Sequence, residues 1–194
     1  MIRDEVMEEK YIPTVEDIKS VMDEYPFLDV GSFHTDEYSK LTYMRSMTRE
    51  ESEDELRERM KENRDSMLEE REVKQFQFCC WWFAKLVSWG YVETPNMGSY
   101  GLKHIAEKHR GEYISNGMLI TAAIFMGLNW RHYGGTNPNV EIAIPKRTLF
   151  YKYTMRKLYG ENWGRTEVEK KVLNELKMIE EENYEYSPES SIEV

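Results

Sequence analysis

Apolar positions recur at helical spacing through most of the chain, and the breaks between the stripes predict its elements. Val15, Ile18, Val21 and Met22 form one stripe, opened by a capping-box pattern of Thr14 with Asp17 and closed by Pro26. Residues 27–47 show no clear period; Gly31 reads as a break with short extended pieces around it. Thr48, with Glu51 after it, opens a very charged helix running to about Glu72 on a thin stripe of Leu56, Met60 and Met67. A stripe this narrow suits a helix that projects from the body, packs at its edge, or pairs with a second copy along one seam. A solvated face laced with i,i+4 ion pairs is the plainer reading.

At Val73 the pattern changes. "FQFCCWWFAKLVSW" is apolar almost all round, which predicts a buried helix stopped by Gly90, with Phe76, Trp81, Trp82, Phe83, Leu86 and Trp89 in the core. An exposed aromatic platform for stacking bases is the alternative, and the unbroken apolar run from Phe78 to Phe83 argues against it. "YVETPNMG" reads as a connection. Ser99 caps a helix that Gly111 ends, and Ser115 caps another, from Asn116 to about Met126, that Gly127 ends. "NWRHYGGTNPN" is rich in turn residues, and "VEIAI" alternates as one short strand with Val140, Ile142 and Ile144 on one face. Pro145 opens a helix to Gly160 in which basic and aromatic residues interleave, and Thr166 with Glu169 opens a last one to about Glu182.

The expected fold is mainly α: about six or seven helices with one short strand or hairpin and one long charged helix. Along the chain this gives an N-terminal segment 1–47 with one helix, the charged helix 48–72, a helical core domain 73–183 and an acidic, disordered tail 184–194.

Charge adds a second layer. The 194 residues carry a net −10, but residues 1–75 hold 12 Lys/Arg against 22 Asp/Glu while residues 76–165 hold 11 against 5. A basic centre suits a polyanion, and acidic arms suit a basic protein groove. Cys79 and Cys80 are adjacent, so they cannot staple distant parts of a fold, and they read as buried thiols of a reducing cytosol. The longest apolar run, Met118 to Leu128, falls far short of the ~20 residues of a membrane span, and "MIRDEVMEEK" is too charged for a signal peptide. The expectation is a cytoplasmic protein without membrane contact.

Candidate chemistry concentrates in "SYGLKHIAEKHRGEYISNGMLITAAIFMGL", residues 99–128. At ~100° per residue, Tyr100, His104, Glu107 and Lys108 share one helix face. His104 with Glu107 has the right groups for acid–base work, yet no GxSxG, HExxH or P-loop accompanies them, so a hydrolase or nuclease built on the pair is the lesser alternative. His109 lies ~140° round from His104, so the two cannot share one metal ion, and no metal or cofactor is expected. A DNA-reading helix-turn-helix fails because "GMLITAAIFMGL" offers only Thr121 to base edges. Lys103, His104, Lys108 and Arg110 on the outer face, with Arg131, His132, Lys152 and Arg156, could form a phosphate-binding patch, or could balance the chain's own acidic helix.

The blocks S-Y-G-L-K-H and Y-I-S-N-G within residues 99–128 resemble a segment of small proteins from plasmids, prophages and other mobile elements, some of them similar to anti-CRISPR inhibitors of the type II CRISPR nuclease. The resemblance implies a non-enzymatic inhibitor whose partner is that nuclease with its guide RNA, with DNA as a further contact. Such nucleases hold their heteroduplex in a positively charged channel. Glu53, Asp54, Glu58, Glu62 and Asp65 on the charged helix are the residues expected to meet it as a nucleic-acid mimic. The alternative is a phage or plasmid DNA-binding accessory protein using Lys103, His104, Lys108, Arg131, Lys152 and Arg156. A homodimer through helix 48–72 is the expected self-association.

Overall fold

The computed structural model describes residues 12–48, 51–87 and 93–145. Helix α1 (Val15–Glu24) begins where the Thr14 amide donates to Asp17 Oδ2 at 2.6 Å, and it turns Ile18, Val21 and Met22 inward. Helix α2 (Glu37–Met47) occupies much of the stretch expected to be irregular. Asp36 caps it by accepting from the Ser39 amide at 2.7 Å. Its apolar contribution is only Leu41 and Met44, too little for a period to show.

Thr48 ends α2 instead of opening the charged helix. Ser52 caps helix α3 (Glu53–Asp65), with Glu55 reaching back to the Ser52 amide at 2.7 Å. Nor does α3 run on to residue 72. It gives way to a 3-10 turn, Ser66–Leu68, and Glu69 is extended before helix α4 (Glu70–Val87) begins. Ser66 Oγ donates to the Asn63 carbonyl at 2.9 Å, competing with the helical ladder where it breaks. The bend turns Met67 into the main core, while Leu56 packs on Leu41 and Met44 in a satellite cluster. Leu56 and Met67 of the thin seam are thus buried inside the chain, with Met60 half-buried beside Leu56, and α3 packs at the edge of the body.

Helix α4 is the centre of the fold, packed against α6 (Asn116–Phe125) and α1. Phe76, Trp82, Phe83 and Leu86 are fully buried as expected, and Trp81 packs half-buried against the core. Cys79 and Cys80 are buried free thiols, and burial pushes both pKa values up. Trp89 and Gly90 lie outside the described residues.

Helix α5 (Ser99–Arg110) starts at Ser99 itself, whose hydroxyl accepts from the Val140 amide at 3.3 Å and so ties the helix to a sheet in place of capping it. Gly111, at φ 81°, ends α5 in the left-handed conformation that glycine adopts without penalty. Ser115 caps α6 by accepting from the Met118 amide at 3.3 Å. The sheet has three antiparallel strands in the order β1 (Met97–Gly98), β3 (Val140–Ile142), β2 (Trp130–His132). Only β3 is legible in the sequence; β1 is two residues long, and β2, Trp130–His132, sits at the edge of a stretch of turn residues without the apolar alternation of β3. The molecule is mainly helical with a small three-stranded sheet. Among the described residues no helix is long and apolar enough to cross a membrane. The helices expected after Pro145 and the tail 184–194 lie outside the described residues.

Candidate functional site

The α5–α6 unit is locked from both sides. The Gly117 amide donates to the Val30 carbonyl at 3.0 Å, and a Cβ at Gly117 would lie 1.8 Å from the Asp29 carbonyl oxygen. Only glycine lets the 29–30 loop lie on the first turn of α6. From the other side, Glu107 holds the connection between the helices. It accepts from Lys103 Nζ at 2.5 Å, from the Ile114 amide at 3.1 Å and pairs with His104 Nδ1 at 2.7 Å. Burial pushes the Glu107 carboxyl up, but these donors and the Lys103 charge together hold it below the usual carboxylate range. The pair His104–Glu107 therefore exists, with its carboxylate kept ionised and engaged in fixing the turn.

Lys103 is not on the outer face. It is buried, its ammonium 4.6 Å from the Tyr113 ring centroid and 5.7 Å from that of Tyr100. The Tyr100 ring meets His104 edge-on at 4.5 Å. Tyr100, Lys103, Tyr113 and Asn116 line one cavity of about 270 Å3, together with Tyr43 of α2, Gly31, and Pro138–Asn139 before β3. Asn116 Nδ2 donates to Asn139 Oδ1 at 3.2 Å across its wall. Sequence spacing could bring Tyr100, His104, Glu107 and Lys108 onto one face; it carried no signal for Tyr43 or Asn139.

Behind this wall lies a buried polar cluster. Lys40 Nζ donates to Asp29 Oδ2 and Ser32 Oγ, and Asp29 Oδ1 also accepts from the Gly31 and Ser32 amides at 2.9 Å each. His34 is buried beside it, 5.1 Å ring to ring from Tyr43, with neither ring nitrogen hydrogen-bonded. Burial first, then the charges of Lys40 and His132, push its pKa down to about 4, against opposing pulls from Asp29 and Asp36.

The other expected residues fall as follows. Glu53, Asp54, Glu58, Glu62 and Asp65 are all exposed on α3. Arg57 binds Glu53 at 2.5 Å, Asp54 at 3.6 Å and Glu37 of α2 at 3.0 Å, so part of this charge is answered locally. Glu58 and Glu62 form no ion pair among the described residues. Among the described residues of the expected basic patch, two are taken up by ion pairs. Lys103 is buried on Glu107, Arg131 is ion-paired with Glu141 across the β2–β3 pair, and Arg110 binds Glu112 at 2.8 Å while lying against Phe78. His104 and Lys108 are exposed, and Lys152 and Arg156 lie outside the described residues. The described residues contain no group of three or more His, Cys, Asp or Glu that could hold a metal ion.

The chain matches no protein-family model, no curated protein and no solved structure.

Proposed function

We propose that the chain is a non-enzymatic inhibitor from a mobile genetic element, which binds a type II CRISPR effector with its guide RNA and blocks DNA binding or cleavage. The observation that carries this reading is the outer stripe of α3. Asp54, Glu58, Glu62 and Asp65 follow one another at spacings of four, four and three, exposed on the side opposite buried Leu56. Successive carboxylates about one helical turn apart, ~5–6 Å, present a line of negative charge akin to a strand of phosphates. A positively charged nucleic-acid channel is the surface such a line fits. The resemblance of residues 99–128 to inhibitor-related proteins supports the same partner.

The test is DNA cleavage by a purified type II nuclease and guide, with the protein added before or after target DNA, and a mobility shift of protein with DNA alone beside it. Inhibition only in the presence of the nuclease is expected, reduced about tenfold or more by Glu58→Lys with Glu62→Lys, since neither residue holds the fold together. Undiminished inhibition by that variant would exclude the mimic mechanism. No inhibition by the wild-type protein, with a salt-sensitive DNA shift, would transfer the assignment to a DNA-binding accessory protein.

A further inference from the structure

The inhibitor reading uses α3 and leaves the two sequence blocks of the α5–α6 unit without a task. Yet the fold brings Tyr100 and Lys103 from the first block and Tyr113 and Asn116 from the second to one cavity of about 270 Å3, with Tyr43 and Asn139 completing it. Three phenol rings around so small a volume make its walls largely aromatic. Tyr100 and Tyr113 are each 56% exposed, so both rings remain open to an occupant.

The polar groups narrow what that occupant is. A cation gains little, because the Lys103 ammonium already occupies one face of the Tyr113 ring at 4.6 Å. A small anion gains little either, because Glu107 neutralises Lys103 at 2.5 Å. What the cavity offers is ring faces, the N–H donors of Lys103 and the carboxamides of Asn116 and Asn139. The Asn116 amide has a defined orientation, since Nδ2 faces two acceptors, the Pro138 carbonyl at 3.4 Å and Asn139 Oδ1 at 3.2 Å. Its Oδ1 is left buried without a partner, an acceptor unsatisfied in the free protein.

We propose that this cavity binds the base of a nucleotide: a flat heteroaromatic ring stacked on tyrosine, its edge hydrogen-bonded by Lys103 and the asparagine amides. The volume is at the small end for ligand pockets and suits one ring system with the sugar and phosphate outside. A base within a duplex is already stacked and paired, so the ligand is a free nucleotide or an unpaired base of a single strand. This site does not depend on the inhibitor reading, and its test contains no nuclease.

The test is calorimetric titration of the full chain with AMP, GMP, CMP and UMP, with single-stranded DNA and RNA of about ten nucleotides, and with the matching DNA duplex. Saturable binding of a nucleotide or a single strand is expected, with the duplex excluded. Tyr100→Ala with Tyr113→Ala should weaken it about tenfold or more, while Tyr113→Phe, which keeps the stacking face, should retain it. Circular dichroism melting checks that the variants fold, and Asn139→Ala replaces any that do not. Binding of mononucleotides assigns a free nucleotide; binding of single strands alone assigns a strand. No binding of any probe at millimolar concentration overturns the proposal, as does binding that the tyrosine variants leave unchanged.

Discussion

Gly117 has no room for a side chain. With the Asp29 carbonyl 1.8 Å from where a Cβ would sit, and backbone on both sides of the contact, Gly117→Ala must move either α6 or the 29–30 loop. The expected cost is about 3 kcal/mol, the upper end for overpacking, read as a lower denaturant midpoint. A change below about 0.5 kcal/mol would mean that the loop yields freely. His34 makes a second prediction at this scale, in pH. Its native pKa is pushed from 6.5 down to about 4 by burial, with Lys40 and His132 adding to the effect and Asp29 and Asp36 opposing it. Above pH 6.5 neither the native nor the unfolded chain protonates it, so it contributes no slope. As pH falls from 6.5 towards 4 the unfolded chain takes up a proton that the native one refuses, and stability declines by about 3 kcal/mol in total. Neither ring nitrogen has a hydrogen bond to lose, so His34→Phe should fold at pH 7 and flatten that decline. Denaturant unfolding at pH 7 and pH 4.5 decides it: an equal decline in both proteins would remove His34 as the cause.

Elements differ in how firmly they are anchored. Helices α1, α4 and α6 share the main core, whereas α2 and α3 join each other through Leu41, Met44 and Leu56, with Tyr43 and Met60 half-buried against them. Two further ties fasten this pair to the body. Arg64 donates to the Met22, Tyr25 and Leu28 carbonyls at the end of α1, and Lys40 reaches Asp29 and Ser32. Leu56→Ala should therefore cost about 3 kcal/mol. Amide exchange should quicken first between residues 37 and 65 while α4 and α6 stay protected. Equal acceleration throughout would show that the satellite cluster and the core open as one unit.

At the scale of the whole molecule, what could be read from sequence was what each element announces locally. The stripe of α1, the all-round apolar face of α4 and the glycine stop of α5 depend on neighbours within a few residues, and they stand in the structure. Helix α2 was missed because its burial depends on distant partners: Lys40 reads as a surface charge until Asp29, eleven residues earlier, is placed beside it. The outward placement of Lys103 failed likewise, because helical arithmetic gives a direction but not what lies over it, and Tyr113 from beyond Gly111 lies there. The aromatic cavity draws on residues from Gly31 to Asn139, a span no local pattern can encode. Cys79 and Cys80 sit fully buried on α4, in the core shared with α1 and α6. A thiol reagent in solution can meet them only in molecules whose three central helices have parted. The protein thereby carries its own clock: mass added per minute under native conditions counts openings of the core, with no dye or denaturant to disturb it.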